Sequence, residues 1–265
     1  MELEVYAGIK RSILSMLHLD LNHYKDEQMR RRLDSWLVRS GAPSWEDYFI
    51  RLRKDENECS RFRDYLTINV SAFFRDMERW LYLRDKILPE LLAEALKLRP
   101  GSTGLRIWSA GCSIGAEAYT VAMLLDELSP MRRHMILATD FDRSALKKAQ
   151  DGGPYNPEEI QNLTPDQREA YIEPDGPPYF VKKGIGKKIT FQEHNLFSDP
   201  YPTEMDLLIC RNVVIYFTGD AKESLYRKFY AALRPGGLLF IGATEIIPRP
   251  QDIGLRSAGI SFYKK

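Results

Sequence analysis

The sequence predicts an α/β protein in which an all-helical segment precedes a doubly wound parallel sheet. Up to about Thr67, apolar residues recur at spacings of three and four, the period of helices with one buried face. From Leu105 onward, short apolar runs alternate with helical patterns, the order of a parallel sheet wound with crossover helices. Small or acidic residues close several of those runs, where a sheet of this kind meets its ligands.

The elements follow in order. Tyr6, Ile9, Ile13, Leu14 and Leu17 mark a first helix, and Met29, Leu33, Trp36 and Leu37 a second. Ser40 to Pro43 stop it, and Trp45, Tyr48, Phe49 and Leu52 begin a third pattern. Ser71 is placed to cap a helix running through Trp80, Leu83, Ile87, Leu88, Leu91 and Leu92. After a break at Pro100, Gly101, Ser102 and Gly104, strands are expected at 105–108, 135–138, 189–191, 205–210 and 238–241. Helical patterns include Tyr119 to Leu125, Ser144 to Ala149 and Leu225 to Leu233, and Pro235, Gly236 and Gly237 are expected to turn before the last strand. Residues 152–188 interrupt the alternation; a helical piece and a short hairpin, with Gly184 or Gly186 at its turn, are expected there.

Composition narrows the classes of function. With 38 basic and 37 acidic residues, the net charge of +1 supplies no global field toward nucleic acid. The three cysteines, Cys59, Cys112 and Cys210, lack metal-ligand spacing and suit a reducing compartment, so no metal is expected. No run approaches about 18 apolar residues and the first ten lack a secretory pattern, so membrane insertion is not expected either. Arg30, Arg31 and Arg32, with Lys25 before them, fan around a helix; a solvated face and a docking surface for an acidic partner both fit.

The strand ends carry the candidate chemistry. Gly111 and Gly115 permit close backbone approach or a tight turn, but the segment is not a dinucleotide fingerprint because Ser113 replaces the second glycine. Glu117, just inside the next helix, would repel pyrophosphate and favour the cationic end of S-adenosylmethionine; a carboxylate favoured by the helix start alone is the other reading. Asp140 suits ribose hydroxyls, in that donor or in NAD. Arg75 and Arg211 are candidate forks for a substrate carboxylate, or structural ion-pair partners. Tyr216 is read as a roof over the reactive centre or a rim tyrosine, and Cys112 and Cys210 as packing groups.

Seven segments then form a series: NVSAFFRD (69–76), RIWSAGCSIGAEAYTVAM (106–123), ATDFD (138–142), HNLF (194–197), CRNVVIYF (210–217), LRPGGLLFIGATE (233–245) and FYK (262–264). In that order they resemble the bacterial chemotaxis receptor protein-glutamate O-methyltransferases, the CheR family, over nearly the whole chain. The resemblance implies a Rossmann-like S-adenosylmethionine-dependent domain at 100–265 with a small inserted β subdomain at about 171–188. It also implies a helical receptor-docking domain at 1–67 and a linker with a helix at 68–99.

By the same resemblance, Asn69, Ser71 and Arg75 form a lip over the donor, with Arg75 and Tyr216 beside the transferred methyl as catalytic residues. Gly111, Glu117 and Asp140 bind the donor, with Glu117 toward its methionine part and Asp140 at the ribose. Asn195 and Leu196 lie on the adenine side, and Arg211 and Asn212 beside the donor. The implied reaction is methyl transfer to glutamates on the cytoplasmic helical bundle of chemoreceptors, with Lys25 and Arg30 to Arg32 docking that acidic bundle. The implied protein is cytoplasmic and monomeric. Departures from the family pattern are Ser71 for Thr, Ile114, Ala116 and Ala118 for Thr, Glu and Pro, and GATE for GHSE at 242–245. They raise the alternative of a receptor-docking or donor-sensing module without turnover. Binding of a receptor pentapeptide tether is not expected, because the inserted segment is short.

Overall fold

The computed structural model describes residues 2–67, 70–99 and 104–265. By its internal contacts the chain divides into two compact units, Met1–Ile68 with Val214–Ser224, and Asn69–Val213 with Leu225–Lys265.

The first unit contains α1 (Leu3–Leu17), α2 (Asp26–Ser40), α3 (Trp45–Leu52) and α4 (Glu56–Leu66). Local chemistry sets their ends: Ser44 accepts the Asp47 amide, Asp55 accepts those of Asn57 and Glu58, and Gly41 terminates α2 with a left-handed φ of 66°. The periodic residues meet in a core that includes Ile13, Leu17, Leu33, Tyr48 and Phe62. One polar chain crosses it. The Trp36 indole donates to Tyr48 Oη at 2.6 Å, and Tyr48 donates to Glu58, which is also paired with Arg51 and Arg61. Glu58 is therefore buried with its charge compensated. The segment at 214–224 joins this unit through Tyr24 packed edge-on against Phe217 and the Thr218 amide donating to His23 O.

In the second unit, Ser71 does not cap the helix that follows it. Phe74 and Asp76 take left-handed torsions, and α5 begins only at Met77 (Met77–Tyr82). The buried Phe73 and Phe74 explain the delay: their amides bond Glu159 O and Thr120 Oγ1, anchoring a non-helical turn. A π turn at Leu83–Ile87 leads into α6 (Leu88–Leu98), whose second residue, Pro89, has no amide to continue the ordinary ladder.

β1 (Arg106–Ala110), α7 (Ala116–Leu128), β2 (Met135–Asp140) and α8 (Arg143–Asp151) then alternate. After α9 (Pro157–Ile160), α10 (Pro165–Tyr171) and α11 (Lys183–Gly186) come β3 (Ile189–Glu193), β4 (Met205–Cys210), α12 (Gly219–Ala232) and β5 (Leu233–Ile241). Two short strands, β6 (Arg256–Gly259) and β7 (Phe262–Lys264), end the chain.

The seven strands form one sheet in the order β3-β2-β1-β4-β5-β7-β6. β1 to β5 are parallel, while β7 runs antiparallel to β5 and to β6, so the sheet is mixed rather than wholly parallel. The expected turn at Pro235, Gly236 and Gly237 lies inside β5, at a register shift opposite Met205 and Leu207. Chain order reverses on either side of β1, so a crevice is expected beyond the carboxyl ends of β1 and β4.

The inserted region takes a reduced form. It contains the three short helices α9 to α11, and its antiparallel pairing consists of single bridges, Tyr155 with Tyr179 and Ile172 with Val181. Pro174, Pro177 and Pro178 carry no amide hydrogen, which limits a longer ladder. Gly184 and Gly186 lie in α11 rather than at a hairpin turn.

Candidate active site

Four strand ends of the second unit bring acids, amides and one buried arginine together. After β1 the chain makes a tight turn with positive φ at Gly111 (80°), Ser113 (49°) and Gly115 (82°). Packing imposes the glycines. A Cβ on Gly111 would lie 2.6 Å from Val213 Cγ2, and one on Gly115 would lie 2.7 Å from Ala149 Cβ. The turn presents the Ser113 amide to Asp140 Oδ2 at 2.7 Å, and the Asp142 amide donates to Asp140 Oδ1 at 2.9 Å.

Asp140 therefore sits at the end of β2 with acceptor capacity remaining on both oxygens. Burial pushes its carboxyl up to about 6 despite those amide bonds.

Glu117, in the first turn of α7, accepts the Ser109 hydroxyl at 2.8 Å. Its second oxygen lies 3.8 Å from Arg211 Nη1, too far for a hydrogen bond. Burial pushes the Glu117 carboxyl up to about 7; Arg211 and Ser109 pull it down, and Glu245 pushes it up. Two adjacent strand ends thus hold carboxylates whose charge the protein compensates incompletely.

Arg211, at the end of β4, is buried and lies over the rings of Trp80 and Phe240, 5.2 and 4.8 Å from their centroids. Such cation–π contacts contribute about 0.5–1 kcal/mol at exposed sites and about 2 kcal/mol when desolvated. Its Nη2 donates to Asp76 Oδ2 at 2.7 Å and to Arg75 O at 2.9 Å. Arg211 is thus an ion-pair partner within the protein through Nη2, one edge of its fork. Arg75 is half-buried, and its Nη1 donates to Val70 O.

Asn212 adopts φ 59°, and its amide donates to Glu245 Oε2, which also accepts the Gly242 amide at 2.5 Å. A Cβ at Gly242 would fall 2.7 Å from that oxygen, so the glycine admits the clasp. Beyond β3, Asn195 accepts the Phe197 amide and donates its own amide to Asp199, while Leu196 O accepts Tyr201 Oη. Ser71 is half-buried in the second unit, Asn69 lies outside the described residues, and Tyr216 belongs to the first unit, where its carbonyl accepts the Lys25 amide.

Residue order alone marks no contact for Asp76, Ser109, Ser113 or Glu245, which the structure joins to Arg211, Glu117, Asp140 and Asn212 respectively. A left-handed aspartate beside a candidate catalytic arginine leaves no local pattern, and the partners of Glu245 lie up to 33 positions away. Cys112 and Cys210 are buried, which pushes both thiols up, away from a nucleophilic thiolate.

Of the basic residues on α2, Arg30 stacks on Tyr6, Arg32 stacks on Tyr65 and donates to its carbonyl, and Arg31 points outward, paired with Glu27. Lys25, Glu27, Gln28, Arg31 and Arg32 line a cleft of about 440 Å³.

Residues 69–259 match the family model described as the CheR methyltransferase SAM-binding domain, and residues 4–67 that of the CheR methyltransferase all-alpha domain. The chain belongs to the CheR methyltransferase family. A chemotaxis protein methyltransferase of Listeria monocytogenes is 39% identical over 261 residues, covering 98% of this chain and 97% of the relative. One of Borreliella burgdorferi is 33% identical over 238 residues, covering 86% and 83%. Family membership makes this an S-adenosylmethionine-dependent methyltransferase acting in chemotaxis.

The strand-end residues fit that donor. It carries an ammonium, a sulfonium and vicinal ribose hydroxyls, and the half-buried Glu117 and Asp140 provide carboxylate acceptors for them. The departures at Ile114, Ala116 and Ala118 are buried in the apolar core, so their side chains act as packing.

Proposed function

We propose that the chain methylates glutamate side chains of chemoreceptors, forming carboxyl methyl esters. The pairing of two half-buried carboxylates, both held above the usual carboxylate range, with a turn pinned by the Ser113 amide supports this reading. Glu117 is assigned the cationic methionine end of the donor, Asp140 the ribose, and Asn195, Leu196 and Asn212 its remaining rim. Ser71 and Asn69 are assigned to the lip.

When bound, the donor supplies an electrophilic methyl group on a positively charged sulfur. The protein's task is alignment and exclusion of water, because an ionised glutamate is already nucleophilic and needs no base. Arg75 is assigned to steer the incoming carboxylate, and Tyr216 is assigned a catalytic role. The grip of Arg75 must be light, since charge on both reactants is lost toward the transition state.

Lys25 and Arg31 are assigned to the acidic receptor bundle, which places the reaction in the cytoplasm. Arg30 and Arg32 support that face through their tyrosine stacks. Incubation with labelled donor and receptor cytoplasmic fragments is expected to give base-labile ester on particular glutamates. Label recovered only in amide, amine or nucleic acid would overturn the assignment. A non-catalytic role is not favoured, because the altered residues beside Glu117 pack inward and leave its carboxylate in place.

A further inference from the structure

The Arg211 guanidinium stands between two acids and favours one. Its Nη2 makes a 2.7 Å bond to Asp76, while its Nη1 stops 3.8 Å short of Glu117. Trp80 and Phe240 hold the guanidinium against their rings, so its orientation follows from which edge is bonded. Asp76 itself is held at φ 59°, a left-handed torsion uncommon outside glycine, asparagine and aspartate. The Arg75 carbonyl, which accepts both Arg211 Nη2 and the Trp80 indole, fixes the same turn.

We propose that Asp76 is a positioning residue: it secures Arg211 by one edge and keeps that cation from closing onto Glu117, whose carboxylate stays available to the cationic end of the donor. The inference rests on the assignment of Glu117 to that end. An arginine bonded directly to Glu117 would compete with an incoming ammonium or sulfonium for one negative charge. The groups facing Glu117 are Ser109 on β1, Arg211 and Cys210 at the end of β4, Glu245 after β5, Cys112 in the turn, and Arg75 before α5. Asp76 is the partner that draws Arg211 away from them.

The test uses the full chain and calorimetry from about pH 5.5 to about pH 8.5, with S-adenosylmethionine and the uncharged 5′-methylthioadenosine as probes. Asp76→Asn preserves shape at an exposed position and removes only charge. S-adenosylmethionine affinity is expected to fall by about fivefold near neutral pH, about 0.7 of a pKa unit of interaction. Affinity for 5′-methylthioadenosine should hold, and the midpoint of the donor's pH profile should move to lower pH as Arg211 engages Glu117. Asp76→Glu should recover most of the loss.

Equal weakening of both probes, or a change in thermal midpoint alone, would show a merely structural role and overturn the inference. Glu117→Gln separates the two levels. If it leaves the donor's pH profile unchanged, the assignment of Glu117 fails; if it flattens the profile while Asp76→Asn does nothing, only the role of Asp76 fails.

Discussion

The proposed assignment of Glu117 and Asp140 to the donor makes its binding a titration. Both carboxyls are raised in the folded chain, Glu117 to about 7 and Asp140 to about 6. The folded protein thus binds more protons than the unfolded one between the ordinary carboxylate range and those values. Their contribution to the stability of the unliganded protein is complete at low pH and is lost as pH rises through about 6 to about 7. Donor affinity has the opposite sign, because a cation and ribose hydroxyls both prefer the ionised acids. Affinity is expected to climb over that interval and then level, with proton release measurable by calorimetry in buffers of different ionisation enthalpy. Affinity that falls over the interval would contradict the assignment. Individual roles separate kinetically: Asp140→Ala should weaken donor binding by about tenfold or more at nearly constant saturated turnover. Arg75→Ala should lower turnover by about tenfold to a hundredfold with donor affinity nearly unchanged, as expected for lost alignment. Exchange of the two phenotypes in single-turnover assays would reverse the roles.

At the level of elements, the turn between β1 and α7 is tightly constrained, with positive φ at Gly111, Ser113 and Gly115. Gly111→Ala combines a positive φ with overlap on Val213, so a loss of about 2 kcal/mol or more is expected in urea unfolding. Adding Val213→Ala should recover part of it, and additivity of the two changes would refute the contact. On α2, Arg31→Glu is the clean test of docking, because Arg32 also braces Tyr65. Receptor-fragment affinity should fall about threefold to tenfold with donor affinity unchanged, and more steeply at low salt; undiminished docking would remove α2 from the proposed surface. The periodicity of α1 to α3 and the run of β4 could be read directly from residue order. The helix start after Ser71 could not: whether a serine caps depends on where Phe73 and Phe74 are buried, and their anchors Glu159 and Thr120 are distant in sequence.

For the whole molecule, Gly111, Glu117, Asp140, Arg211 and Asn212, the residues assigned to the donor, all belong to the second unit, and α1 to α4 belong to the first. Saturating donor is therefore expected to slow hydrogen exchange at the β1, β2 and β4 ends, by up to about 2.7 kcal/mol at a hundredfold excess over Kd. Protection gained mainly in α1 to α4 would place binding elsewhere. Residue order by itself determined the alternation of strands and helices, the acids at the strand ends and the family series, because periodicity and turn chemistry act over a few residues. Only the tertiary structure decided that Arg211 is spent on Asp76, 135 positions away, that Val213 explains Gly111, and that two antiparallel strands close the sheet. Those outcomes depend on which distant side chains share a buried space, and that is fixed only once the sheet has assembled.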